Sequence, residues 1–201
     1  MSRDSKTLDF YDHAAEEYAE KFALEGPGKD MLEFMALLPA GGRVLDLGCG
    51  PGKSSAHLRD AGFEADAMDA SAGMLEIART RFGIHGTLAT FEQLDAEDLY
   101  DGVWANFSLL HASRADMPAH FGRIYRALKP GGVLHLGLKL GENEKRDELG
   151  RFYTYFSEAE LDTLLDAAGF TTIEKEFGHG KGMAGNEEPY IVIRARAGKD
   201  L

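Results

Sequence analysis

Three glycines, Gly48, Gly50 and Gly52, fall within the segment 45–55, LDLGCGPGKSS, directly after a short apolar run. Glycines between a strand and a helix can bring backbone N–H groups against a phosphate or a nucleotide. The segment also contains Gly-Lys-Ser, the ending of an ATP-binding P-loop. That loop needs a glycine five positions before the one that precedes the lysine. Counting back from Gly52 gives position 47, which is Leu47. Starting from Gly48 leaves the loop one residue short, and no apolar strand ends in the magnesium-binding aspartate such a site needs. The P-loop reading fails, and Lys53 and Ser54 are expected to begin a helix.

The dinucleotide pattern G-x-G-x-x-G fits no better, because its third glycine position is Lys53. The actual spacing is G-x-G-x-G, with Asp46 two residues before the first glycine. A second acidic residue, Asp69, closes the next apolar run. An acidic side chain there can accept both hydroxyls of an adenosine ribose. With the pyrophosphate-binding glycine missing, the pair of features suggests a nucleoside ligand without a pyrophosphate.

The elements that must position these residues alternate short apolar runs with longer amphipathic stretches, the pattern of an α/β domain with a mostly parallel sheet. Strands are expected at 43–47, 64–68 ending at Asp69, 86–91, 102–107 and 133–139. Helices are expected at 54–61, over SAGMLEIARTRF with Ser71 as N-cap, and over 117–128, stopped by LKPGG. After a charged loop, GENEKRDELGR, come a helix over SEAELDTLLDAAGF and two strands at 171–177 and 190–195. These last two leave no room for a helix between them and should pair antiparallel. The N-terminal DFYDHAAEEYAEKF should be helical, with Phe10, Tyr11, Tyr18 and Phe22 covering the sheet or facing a ligand.

The chain has 201 residues and a net charge of −12. That length fits one domain, 1–201. The acidity argues against broad attraction to nucleic acid or anionic membrane. A single cysteine, Cys49, excludes an internal disulfide and a cysteine-clustered zinc site. No apolar run reaches membrane-spanning length and the N-terminus is too charged for a signal peptide, so a cytoplasmic location is expected.

Four segments in order, VLDLGCGPG at 44–52, AMDAS at 67–71, YDGVWANFSLLH at 100–111 and LKPGGVL at 128–134, resemble the class I S-adenosylmethionine-dependent methyltransferases. SLLH, LKPGG and RFYTYFSEAEL look more narrowly like small bacterial methyltransferases of the tellurite-resistance type. The resemblance implies a Rossmann-like seven-stranded sheet, order 3-2-1-4-5-7-6 with strand 7 antiparallel, flanked by helices. It implies S-adenosylmethionine as cofactor, with S-adenosylhomocysteine as product. Gly48 and Gly50 would let the backbone approach the methionine part. Asp46 would brace the loop or reach the cofactor's amino group, Asp69 would bind the ribose, and Ala70, Met74 and Phe91 would line the adenine pocket. Relatives often place an acidic residue after strand 3; here ATFEQLD leaves a backbone carbonyl, Glu92 or Gln93 as the adenine acceptor. Asn106, Phe107 and Ser108 would stand near the sulfonium. Tyr11 and Tyr18, in a helical lid region spanning 1–28, would close over the cofactor.

In-line methyl transfer from a sulfonium needs alignment and exclusion of water more than acid or base. His111 is the candidate base should the acceptor need one. Arg151, Tyr153 and Tyr155 are candidates for an acceptor pocket, and no metal is expected. The acceptor is expected to be a small molecule. A non-catalytic S-adenosylmethionine-binding regulator, or a protein or RNA methyltransferase with a partner, is the alternative. Oligomeric state is not legible.

Overall fold

A computed structural model of the chain describes residues 4–22 and 26–198. Of the expected N-terminal lid, 1–3 and 23–25 therefore lie outside the described residues. The N-terminal segment folds into two short helices, α1 (Ser5–His13) and α2 (Ala15–Lys21), broken at Ala14. A third helix, α3 (Lys29–Ala36), was not foreseen in the sequence.

The run RVLDL forms β1 (Arg43–Leu47), buried after its first residue. Both faces of a central parallel strand are covered, so it reads as one apolar run instead of an alternation. Gly52 then takes a left-handed φ of 79° and starts α4 (Lys53–Asp60), the helix expected of Lys53 and Ser54. Next come β2 (Glu64–Asp69) and α5 (Ala72–Phe82), whose N-cap Ser71 accepts a hydrogen bond from Met74 N–H. The expected third strand shrinks to β3 (Thr87–Leu88), because a 3-10 turn, Phe91–Gln93, takes over its end. There follow β4 (Tyr100–Asn106), α6 (Met117–Ala127) and β5 (Leu128–Lys139), the last absorbing the LKPGG stop into its own start.

The charged segment expected as a loop instead folds into a small hairpin, β6 (Glu144–Arg146) with β7 (Phe152–Thr154). Arg146 bonds Asp4 at its edge, and Lys145 lies 3.4 Å from Glu188. After α7 (Glu158–Ala167), with its Ser157–Glu160 capping box, β8 (Phe170–Lys181) and β9 (Glu187–Ala197) make a hairpin longer than expected.

The sheet has seven strands in the order β3-β2-β1-β4-β5-β9-β8, with β9 antiparallel to both neighbours. Apart from the small hairpin, which pairs separately, this is the expected topology. Phe34, Val44, Leu58 and Trp104 fill one face, while Leu45, Val103, Phe121 and Leu134 belong to the core of the other. The order reverses between β1 and β4, which places the crevice for a ligand at their carboxyl ends.

Candidate active site

A cavity of about 820 Å³ opens over those strand ends. Its floor carries Asp46, Gly48, Gly50, Asp69, Asn106 and Phe107, and Met74 also lines it. Tyr11, Tyr18 and His111 form one wall, and Arg151 and Tyr153 stand at the same end. Ala70, Phe91 and Tyr155 are not brought to this cavity. Phe91 is buried below it, and Tyr155 lines a smaller neighbouring recess.

The two loop glycines turn out to have different reasons. A Cβ at Gly48 would lie 2.4 Å from the Cβ of Ser108, whose hydroxyl donates to Leu47 O at 2.6 Å. Gly48 therefore lets β1 and the end of β4 approach, at a φ of 76°. At Gly50, φ 51°, a Cβ would meet no atom within 4 Å. It would project into open space beside a carboxylate, so this is the glycine whose bareness leaves room for a ligand.

Asp69 is buried, and its two oxygens accept from Gly50 N–H and Ser71 N–H, each at 2.9 Å. Each carboxylate oxygen keeps a second lone pair, enough for a pair of ribose hydroxyls. Burial raises the carboxyl's pKa against the pull of those backbone donors. Asp46 accepts from Ser55 Oγ at 2.6 Å. Burial pushes it up to about 7, opposed by Ser55 and helped by the nearby charge of Asp69. With glycine clearance, two buried carboxylates and aromatic walls, the site fits a cationic nucleoside. Neither Glu92 nor Gln93 lines the cavity, and Gln93 Oε1 accepts from Thr90 N–H at 2.8 Å.

Asn106 Oδ1 lies 3.1 Å from His135 Nε2, and His135 stacks on Trp104 at 3.7 Å. That contact orients the amide at the cavity floor. Phe107 follows in left-handed conformation, φ 54°, while its N–H donates to Gly137 O at 3.0 Å. A bulky residue there costs roughly 1–2 kcal/mol, and such strain gathers at functional sites.

His111 sits buried in a 3-10 turn, Leu109–His111. Its Nδ1 is 2.6 Å from Phe152 O, a partner that can only accept. Nδ1 therefore carries the proton, and Nε2 accepts from the Tyr11 hydroxyl at 2.8 Å. Tyr11 O in turn accepts from Arg151 Nη1 at 3.0 Å. Burial, aided by the charge of Arg151, drives the imidazole down to about 3. Its only free lone pair is spent on Tyr11, so the imidazole is a poor direct base.

The two N-terminal helices are pinned at several points. Asp12 Oδ1 accepts from Ser71 Oγ at 2.6 Å and Gly73 N–H at 3.0 Å. Thr7 Oγ1 accepts from Phe152 N–H at 2.9 Å, and Lys21 Nζ reaches Met183 O at 2.8 Å across the cavity mouth. Sequence reasoning missed Asp12, Ser55 and Asp147, whereas Ser108, expected with Asn106 and Phe107 near the sulfonium, does line the cavity. Ser55 alone left a signal, one helical turn after the glycine loop.

A family model described as a methyltransferase domain matches residues 44–132. An uncharacterized methyltransferase of Synechocystis is 32% identical over 186 residues, covering 85% of this chain and 82% of that protein. The malonyl-[acyl-carrier protein] O-methyltransferase of Salmonella typhimurium is 34% identical over 127 residues, 62% of this chain. The chain spans about half the length of that relative, 49%. Among solved structures, the 1,6-didemethyltoxoflavin-N1-methyltransferase of Burkholderia thailandensis shares the fold with a TM-score of 0.73 at 22% identity, covering 99% of this chain and 92% of that one. Among the described residues no helix is long and apolar enough to cross a membrane.

Proposed function

The chain belongs to the class I S-adenosylmethionine-dependent methyltransferases, and on that premise we propose that it methylates a small-molecule acceptor by in-line displacement. The observation that carries this reading is the single cavity that joins Asp69 and Gly50 at one end to the Arg151–Tyr11–His111 chain at the other. Bound S-adenosylmethionine supplies a methyl group on a sulfonium already activated for displacement, with S-adenosylhomocysteine as the other product. Asp69 holds the ribose, Asp46 attracts the amino end, and Asn106 and Phe107 border the reacting carbon. Tyr11 and Tyr18 exclude water. Because His111 is held neutral and its lone pair is occupied, the acceptor arrives already nucleophilic, as a carboxylate, thiolate or free amine.

An acceptor screen with purified protein, following S-adenosylhomocysteine, tests the reading. No release of S-adenosylhomocysteine with an acceptor of any class, despite tight cofactor binding, would favour a non-catalytic regulator on the same fold. A carrier-bound acyl acceptor is a second reading, favoured by the name of the Salmonella relative and by exposed Lys145 and Arg146 beside the acceptor end. A cytoplasmic location belongs to the same proposal and rests on the charged, acidic composition.

Two variants probe the roles. Tyr11→Phe removes the hydroxyl between Arg151 and His111. It should cost about 1 kcal/mol of stability in urea unfolding. Single-turnover rate should fall while cofactor affinity stays near the parent's; an unchanged rate would remove Tyr11 from the acceptor site. Asp46 gives a pH signature. A cationic ligand favours its ionised form, whereas the free protein protonates it as pH falls below about 7. Cofactor Kd should therefore rise toward acid, by up to about tenfold per pH unit. Asp46→Asn should flatten that dependence in calorimetry across pH 5.5 to 8, with the bounds chosen about the carboxyl's midpoint.

A further inference from the structure

We propose that Glu92, Asp116 and His120 form a binding site for a divalent transition-metal ion of the zinc type. One ligand atom from each lies within 4.8 Å of the others. Asp116 is the N-cap of α6 and His120 stands one turn further on, so both share a helix face. Glu92 is presented by the 3-10 turn at Phe91–Gln93, packed against α6.

The pointer to a ligand is His120. It is 2% exposed, and neither ring nitrogen has a hydrogen-bond partner among the described residues. Glu92 Oε2 is buried and equally unpartnered. Buried polar atoms are rarely left so, because each forfeits its hydration. Here one imidazole nitrogen and a carboxylate oxygen are orphaned beside each other, with a second carboxylate at the rim. A cation between them would engage one imidazole nitrogen, the orphaned Glu92 oxygen and the Asp116 carboxylate at once. Ligand atoms on a zinc ion stand about 3–3.5 Å apart, given bonds of about 2.0–2.2 Å, so closure asks about 1 Å of side-chain movement. The imidazole selects a zinc-like ion over magnesium or calcium, and water completes the shell.

The other carboxylate group of similar spacing, Asp30, Glu33 and Glu176, differs in a decisive way. Arg194 Nη2 lies 2.8 Å from Glu33 and also bonds Glu176, so a protein cation already fills that role. At the proposed site no arginine or lysine does so among the described residues.

The site has a structural consequence. Phe91, next to Glu92, packs edge-on to His120 with ring centroids 5.5 Å apart. Its Cε1 would be 3.7 Å from a Cβ on Gly48. A bound ion would tie this turn to α6 and fix Phe91 beneath the glycine loop. This goes beyond the methyl-transfer reading and does not depend on it.

The test is calorimetric titration of zinc chloride into the untagged, chelator-treated full chain, with cobalt(II) absorption as a second readout. One equivalent should bind, with d–d bands from cobalt. Asp116→Asn, at an exposed cap, and Glu92→Gln should each weaken zinc by at least about tenfold, and His120→Ala should abolish the cobalt bands. Glu33→Gln, at the other cluster, should bind like the parent. Failure of the parent to bind zinc, or parent-like zinc affinity in Asp116→Asn or Glu92→Gln, would overturn the site.

Discussion

Arg151→Met should lower folding stability by about 3 kcal/mol, near the low end of the 3–5 kcal/mol typical when one partner of a buried ion pair is removed. The guanidinium is almost wholly enclosed, with 2% of its side chain exposed. Nε and Nη2 donate to Asp147 Oδ2 at 3.0 and 2.6 Å, and Nη1 donates to Tyr11. The rings of Phe10, Tyr11 and Tyr153 stand 4.9, 5.6 and 5.1 Å from its central carbon. Methionine keeps most of the packed stem but leaves the Asp147 carboxylate without its cation. The low end applies because Asp147 Oδ1 keeps the backbone N–H groups of Leu149 and Arg151, and that side chain is 13% exposed. Urea unfolding of parent and variant measures the loss. A value below about 1 kcal/mol would be that of a solvated surface pair, and the buried clamp would then be wrong. Pairing the change with Asp147→Leu should recover part of the stability, since the stranded charge goes too.

That clamp also shows where sequence reading stopped. RVLDL was legible as β1 because a doubly covered parallel strand is written as one apolar run. Ser71 was legible because a cap is local chemistry. Asp46, Gly48, Gly50 and Asp69 were legible together because their spacing follows one strand–loop–helix–strand unit. What failed was nonlocal. The charged segment around Lys145 and Arg146 carries no apolar alternation; its strand character comes with Asp4 and Glu188, far away in the chain. Gly178 and Gly180 look like strand breakers. Yet a Cβ at Gly178 would lie 2.4 Å from Tyr190, so bareness there is what lets the ring cross the hairpin. His111 was found as a residue, but its tautomer rests on Phe152 O, 41 positions later, and the use of its other nitrogen on Tyr11, 100 positions earlier. Phe91 was placed by its position after the third strand. That strand ends early, and the turn that replaces it carries the ring below the cavity floor.

Asp69→Ala should weaken S-adenosylmethionine binding by about 1–3 kcal/mol, about 5- to 150-fold in Kd. Two losses combine. The ribose hydroxyls lose a charged acceptor, and hydrogen bonds to charged groups are the stronger kind. The loop also loses its brace, since Gly50 N–H and Ser71 N–H both end on this carboxylate. Gly50 then no longer has its left-handed turn fixed against β2, which blurs the space that its missing side chain keeps open. Asp69→Asn separates the two effects. Its amide oxygen can still accept from one backbone N–H, while the charge and the second acceptor are gone. Calorimetry should therefore rank the affinities parent, Asn, Ala, with Asn nearer to Ala if the ribose contact dominates and nearer to the parent if the brace does. Unchanged affinity in Asp69→Ala would remove the carboxylate from the cofactor site. The thermal unfolding midpoint should fall in the alanine variant even without ligand, because a buried acceptor has left two backbone donors unpaired.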